Sequence, residues 1–499
     1  MAYSLGKGKP SVNHLLFMDD LKLYSTTENQ IDSLVNTVRV FSQDINMEFG
    51  LDKCATLIMK RGKMIESAGI PMPDQKLMKS LKENEDYKYL GILEADDIKH
   101  ESMRTIIKAE YLRRVRKILN SKLNGKNIIT SINSRAISII RYSSGVLKWP
   151  VAEVKELDRK TRKYLTMHGA HHPKSNTERL YMKRAMGGRG LISVEDCIEI
   201  ESNSLHQYLN DSQEPLLQAA YTENVVKTKD EIRSKADIEK EHVQLHREKS
   251  LHGQFEKATE GLRGEETWEW LKRGALKKET ESTIIAAQDQ AIATNNIRSV
   301  IYKENISPLC RMCGKFNETV AHIVAECPSL AQNQYKCWRH DEVAKILHWK
   351  LCEKWGFQNA DRWYEHTPES VIENDACKIL WDFPIQTDKI MPHNKPDITL
   401  VDKKAKITFL IDPTCPFDTR ICTKEEEKIN RYDPLKFELG KIWNQKVVKS
   451  VPIVIGALGT VSKNFKKYLD MIEIDCSVEL LQKATLLGTA RIIRYVLSQ

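Results

Sequence analysis

Four side chains that favour soft divalent metals fall within eighteen residues: Cys310, Cys313, His322 and Cys327, with gaps of two, eight and four residues. A segment this short has no core of its own, so bringing these four groups to one point decides how it folds. Four nitrogen and sulfur ligands can close a tetrahedral zinc site with Zn–S bonds of about 2.3 Å, and the bound metal then folds the segment. Gly314 directly follows the first cysteine pair, where such a knuckle has to turn sharply. Four ligands leave no open position, so the expected role is structural. Without a metal, the same pattern is a chance cluster of buried thiols. Arg311 and Lys315 place basic charge beside it. The chain has eleven cysteines, an odd number scattered over 499 residues. That usage fits reduced thiols rather than a disulfide framework. Cys337 and Cys352 are read as core packing or reserve thiols.

Composition narrows the class further. With 41% hydrophobic and 29% charged residues the chain is neither collagen-like nor a disordered tail. Its length suggests about three domains. No apolar run approaches the roughly 20 residues of a membrane helix. The opening MAYSLGKGKP lacks the apolar stretch and cleavage site of a secretory signal. The net charge of +9 is unevenly spread. Residues 101–190 hold 21 Lys and Arg against 6 Asp and Glu, a net +15, so the remainder sums to −6. A concentrated basic block points to a polyanionic partner. Its centre is Arg113, Arg114, Arg116, Lys117, Lys122 and Lys126; as a plain solvated helix face it needs no partner at all.

Along the chain, SVNHLLF and LKLY read as two strands around Met18-Asp19-Asp20. Residues 27–48 read as a helix with Ile31, Leu34, Val35 and Val38 on one face, a Thr27/Gln30 capping box and Gly50 as its stop. YKYLGIL, 87–93, reads as one strand. Residues 101–210 read as mostly helical, broken at Pro150, at His171-His172-Pro173 and at Gly187-Gly188-Arg189-Gly190. Residues 221–250 read as an exposed helix or linker, and 251–300 as helical. From about 375 the pattern is α/β: strands DITLV, KITFLI and VPIVIG, a helical stretch 423–447 broken by Pro434, and a helix after 478.

Two adjacent aspartates, Asp19 and Asp20, in an apolar strand–turn–strand are costly to bury without a partner. Divalent metal is one such partner; a solvated turn is the plain alternative. HLLFMDDLKLY, the helix, GLDKCATLIMKRGK and YKYLGIL together resemble the palm of a reverse transcriptase. The chain is most similar to non-LTR (LINE-like) retrotransposon polyproteins whose nuclease follows the polymerase. RKTRKYLTMHGAHHPKS, GGRGLISVEDC, SLHGQF, KKETESTIIAAQ and LLGTARI extend the likeness. The resemblance implies that Asp19 and Asp20 are the metal-binding catalytic turn and that Lys53 lies near the incoming nucleotide. A palm also needs a third carboxylate on an earlier strand, and fingers. Only ten residues precede the first strand, so the polymerase half is expected to be truncated and inactive alone.

Asp397 opens DITLV and Asp412 follows KITFLI, so a hairpin can bring both carboxylates to one sheet edge, where they can hold Mg²⁺ or Mn²⁺. The plain alternative is an exposed hairpin beside a salt-bridged helix. The Pro-Asp…Asp pattern resembles restriction-like endonucleases, although Thr414 stands where their commonest form has a lysine. Lys424, Lys428 and Arg431 share one helical face. The resemblance implies a basic residue from this helix: Lys428 first, Arg431 second. Asp418 is a further acidic candidate. By resemblance the fold is multidomain α+β: a partial reverse-transcriptase palm (1–100), a basic helical thumb (101–210), a helical linker (211–300), a zinc knuckle (301–335) and an α/β restriction-like endonuclease domain (375–499). The implied setting is nuclear, with DNA, RNA and the missing N-terminal half as partners and no membrane. The implied activity is nicking of DNA and reverse transcription primed at the nick; a non-catalytic nucleic-acid-binding relic is the alternative. His168, His171 and His172 read as a basic, phosphate-facing loop, the glycine-rich stretch as a turn, and Trp268 and Trp270 as packing.

Overall fold

The computed structural model describes residues 3–6, 8–72, 76–83, 85–224 and 233–499. These form a mixed α/β structure. Among them, no helix is long and apolar enough to cross a membrane. The chain divides into two compact units that interleave in sequence. The first comprises residues 1–116, 134–161 and 192–235; the second comprises 117–133, 162–191 and 236–499.

In the first unit SVNHLLF is broken at Asn13: Ser11–Val12 pairs with Tyr3–Ser4, and the rest forms the expected hairpin. His14–Phe17 pairs antiparallel with Asp20–Leu23, and Met18-Asp19 form the tight turn, with Met18 at φ 58. The helix Glu28–Asp44 turns Ile31, Leu34, Val35 and Val38 inward, and Val35 packs with Ile70 and Met78. Its ends differ from expectation. Thr27 takes the extended cap conformation without a side-chain cap, and the Gln30 side chain accepts instead from the Thr26 hydroxyl at 3.0 Å. The helix closes at Asp44, not at Gly50, with Asn46 in the left-handed region at φ 55, which a short amide side chain tolerates. YKYLGIL is two strands, not one: Tyr87–Tyr89 pairs with Ile92–Glu94 around Leu90 and Gly91, both at positive φ. That is the two-residue turn that suits strand twist. Leu16, Phe17, Met18 and Phe41 are exposed. Of the segment read as an exposed helix or linker, Lys235–Glu248 is a helix, while 225–232 lies outside the described residues.

The second unit is built on a five-stranded sheet of β1 (Val371–Glu373), β2 (Cys377–Trp381), β3 (Ile398–Asp402), β4 (Ile407–Thr414) and β5 (Val447–Val454), in that order. The first four run antiparallel, and β4 pairs parallel with β5. A parallel pair needs a crossover; here it consists of α2 (Ile421–Arg431) and α3 (Asp433–Ile442). They break at Tyr432, with Pro434 in the first turn of α3, where a missing N–H costs nothing. Side chains alternate along β4. Phe409 and Ile411 join the core made with α1 (Asp341–Trp355), α4 (Phe465–Ile472) and α5 (Val478–Leu497). Leu410 faces the other way, onto Tyr432, Leu435 and Leu439. Period two then sends Asp412 to the same face as Leu410, under the crossover helices.

A second core lies beyond α5. Leu486, Ala490, Ile493 and Val496 pack with Trp270, Leu271, Ile285, Val320, Ile323, Cys310 and Cys327. The knuckle and the α/β sheet, expected as consecutive modules, therefore belong to one unit joined by a shared helix. Trp268 and Trp270 are core residues, as expected. The glycine-rich stretch is a turn, with Gly187 and Gly190 at positive φ, and Arg189 is buried against Glu281 at 2.6 Å. His171 does not form a basic loop: burial, reinforced by nearby Arg189, pushes its pKa down to about 3, and the ring is neutral.

Gly488 of α5 meets the carbonyl of Trp338, and a Cβ there would also lie 2.8 Å from Arg339 Cβ. Helix propensity favours alanine over glycine by about 1 kcal/mol, but overpacking against backbone costs about 1–3 kcal/mol. Gly488→Ala is therefore expected to lower the unfolding free energy. A urea titration showing equal or greater stability for the variant would refute this reading of the contact.

Candidate metal centres

The knuckle begins with a narrow chain reversal. Leu309 bridges Asn317, Cys310 N–H donates to Phe316 O at 2.7 Å, and Gly314, at φ 65, donates to Cys310 O at 2.7 Å. The wide helical turn His322–Glu326 supplies the histidine and delivers Cys327 at its end. Cys310 Sγ lies 3.9 Å from Cys327 Sγ, and Cys313 Sγ lies 3.4 Å from His322 Nε2. All four ligand atoms fall within 4.8 Å of one another. A tetrahedron with bonds of about 2.0–2.3 Å has edges of about 3.3–3.8 Å, so the donor set fits a cation such as zinc. Burial lowers the pKa of His322, which favours its ligand form. Glu318, itself buried, takes the Arg311 guanidinium at 2.8 Å. Arg311 thus braces the knuckle rather than lying free on its surface. Tyr335 donates to His322 O at 3.0 Å and accepts from Cys327 N–H at 3.1 Å, fixing the backbone that carries both ligands.

The second group forms where β3 starts and β4 ends. Ile398 pairs with Ile411, so the next residue pair outward is Asp397 and Asp412. Asp412 is buried, and Lys428 Nζ and the Tyr432 hydroxyl each donate to one of its oxygens, both at 2.5 Å. Desolvation and the neighbouring Asp397 raise its pKa. Asp397 keeps a pKa below the usual carboxylate range: desolvation opposes this, but hydrogen bonding from His340 outweighs it. His340 Nε2 lies 3.1 Å from Asp397 Oδ2, and its Nδ1 lies 2.9 Å from Asp341 Oδ1. Burial opposes charge on this ring, yet the two carboxylates raise its pKa to about 10. Ligand atoms of His340, Asp397 and Asp412 lie within 4.8 Å of one another; with both His340 nitrogens engaged by carboxylates, the two aspartates are the candidate ligands of the group.

Asp397, Asp412 and Lys428 thus come together as the sequence suggested. Arg431 is exposed on the same helix. Asp418 is not part of this group. It lies fully buried, accepting from Leu458 N–H at 2.9 Å and Thr460 N–H at 3.0 Å, and desolvation raises its pKa to about 6. It shapes the loop after β5 instead. Sequence reasoning missed His340, 57 residues before Asp397, and Tyr432, which sits in the helix break that Pro434 announced.

Asp19 and Asp20 are exposed. Among the described residues, no third His, Cys, Asp or Glu joins them in a group able to hold a metal. Lys53 ends a short helical turn, its side chain exposed and its carbonyl accepting the Tyr87 hydroxyl at 3.0 Å. In the basic block, Arg113 and Arg114 both engage Glu110, at 2.5 and 2.8 Å. Arg113, Arg116, Lys117 and Lys122 are exposed. Arg113, Arg116 and Lys117 occupy positions i, i+3 and i+4 of one helix, His100–Leu119, and so share a face.

No known protein-family pattern matches the chain, and no curated protein matches it in sequence.

Proposed function

We propose that the second unit is a metal-dependent DNA endonuclease, and that the chain is the C-terminal part of a non-LTR retrotransposon reverse transcriptase/endonuclease polyprotein. The observation that carries the nuclease reading is the meeting of Asp397, Asp412 and Lys428, with His340 and Tyr432, at one end of the sheet. Two carboxylates flanked by a lysine are what phosphodiester hydrolysis asks of a protein. Asp397 and Asp412 would hold Mg²⁺ or Mn²⁺, which polarises the phosphate when bound. Lys428 stabilises negative charge on the scissile phosphate. His340 orients Asp397 from its outer side, as Tyr432 orients Asp412. Water oxygen bonds to phosphorus, the 3′ oxygen leaves and takes a proton, and the nick carries a 3′ hydroxyl able to prime copying of RNA.

In this reading the Cys310, Cys313, His322 and Cys327 site holds structural zinc. The exposed arginines and lysines of 113–122 contact nucleic-acid backbone. Asp19, Asp20 and Lys53 belong to a palm that is inactive alone, since among the described residues no third carboxylate joins the pair; exposed Leu16, Phe17, Met18 and Phe41 suit packing against the polymerase's other half. The site of action is the nucleus, where the target DNA is. The test is nicking of supercoiled DNA with Mg²⁺ by the whole chain, beside Asp397→Ala and an EDTA control. Nicking abolished in both controls is the expected result. Tight, salt-sensitive DNA binding without nicking would instead identify a non-catalytic relic.

A further inference from the structure

A third cluster lies apart from both groups above. α1 carries His348 and Cys352 one turn apart, and both side chains point into the core between α1 and the sheet. His366 arrives from the irregular stretch 356–370. His348 Nδ1 lies 2.8 Å from His366 Nε2 and 3.5 Å from Cys352 Sγ. All three residues are buried, and their ligand atoms lie within 4.8 Å of one another. Trp381 packs edge-on against His348 at 5.5 Å.

Hydrogen bonding offers the facing atoms His348 Nδ1 and His366 Nε2 one shared proton, while Cys352 Sγ lies beside them at 3.5 Å. The surroundings also call for a fastener. The stretch 356–370 has no helix or strand, and segments that long without structure are uncommon in compact domains. Its first part is tied to α1 by Trp349 Nε1 donating to Ala360 O and Asn359 Nδ2 donating to Trp349 O, both at 2.8 Å, and His366 lies beyond these ties.

We infer that His348, Cys352 and His366 form a second zinc site, a structural one that pins the 356–370 stretch to α1 and the sheet. Nitrogen and sulfur donors at this spacing suit zinc, and the 2.8 Å nitrogen pair need open by only about 0.5 Å to span a tetrahedral edge. Glu369, three residues after His366 and exposed, would have to turn inward to supply a fourth ligand. This site is independent of the nuclease reading, since none of its ligands touches Asp397 or Asp412.

Zinc content per chain tests the inference. The whole protein is dialysed against zinc-free buffer containing Mg²⁺ and no chelator, then measured by elemental analysis. The parent is expected to hold about two zinc ions, Cys313→Ser about one, and Cys352→Ser about one. Asp412→Asn, which touches neither site, is expected to keep both. His366→Gln, on the irregular stretch, is the variant of choice if the core change Cys352→Ser prevents folding, and it too is expected to hold about one. A parent with a single zinc that Cys313→Ser removes would overturn the site, as would Cys352→Ser or His366→Gln retaining the parent's content.

Discussion

Asp412→Asn is expected to lower Mg²⁺-dependent nicking of supercoiled DNA by about 10³-fold, while DNA affinity at fixed salt stays within about 2-fold. The substitution keeps the shape and one acceptor, but it removes the buried charge at the cation. Direct metal stabilisation of a phosphoryl transition state is worth several kcal/mol, and three decades correspond to about 4 kcal/mol. The neighbours refine the test. Lys428 lies 2.5 Å from Asp412, and losing one preorganised donor costs about 10²–10³-fold, so Lys428→Ala belongs in the same class of defect. Arg431 is exposed, and Arg431→Ala is expected to change nicking less than about 3-fold. Full nicking by Asp412→Asn would remove this centre from the chemistry altogether.

The second large effect concerns stability. Cys313→Ser is expected to lower the thermal midpoint of the second unit by more than about 10 °C. Structural zinc in small modules contributes about 10–16 kcal/mol of apparent binding energy at neutral pH. Here the loss would spread. Cys310, Cys327, Val320 and Ile323 share a core with Leu486, Ala490 and Ile493 of α5, and Leu481 and Ala484 of the same helix close the core beside the sheet. Arg339 ties the parts together, donating to Val324 O at 2.6 Å, Thr489 Oγ1 at 3.1 Å and Cys415 O at 3.1 Å. At about 1.5 °C per kcal/mol for a unit of this size, about three quarters of the metal's contribution produces the predicted fall. A calorimetric scan in which Cys313→Ser melts with the parent would show that the knuckle is held by packing alone.

What could be read from the sequence was what short spacing or period two encodes. The knuckle is four ligands in eighteen residues, and its geometry follows from the metal's preference. Asp397 and Asp412 flank a hairpin, so their meeting follows from register. Lys428 follows from helical spacing once α2 is placed. His340 follows from none of these: nothing local ties it to a strand 57 residues away, and only the packing of α1 on the sheet brings it in. The pair His348 and Cys352 carried a legible signal, an i, i+4 spacing inside a helix, but the third member lies in a stretch with no periodicity. The turn in YKYLGIL was present as Leu90-Gly91 and was hidden by apolar residues on both sides. The cap at Thr27 is absent while Thr26 offers the same hydroxyl one residue earlier, a competition that composition does not rank.

The interleaving of the two units bears on how the chain comes off the ribosome. In the second unit Gly125 N–H donates to Leu276 O at 3.0 Å and Lys278 Nζ to Leu119 O at 2.7 Å, and α5 closes both cores only when residues up to Leu497 have been made. Translation proceeds at about 5–20 residues per second, so the early helices wait some tens of seconds for their partners. Through that interval the nascent chain displays apolar faces that chaperones bind, and this protein's yield in a cell depends on their supply as well as on its final stability.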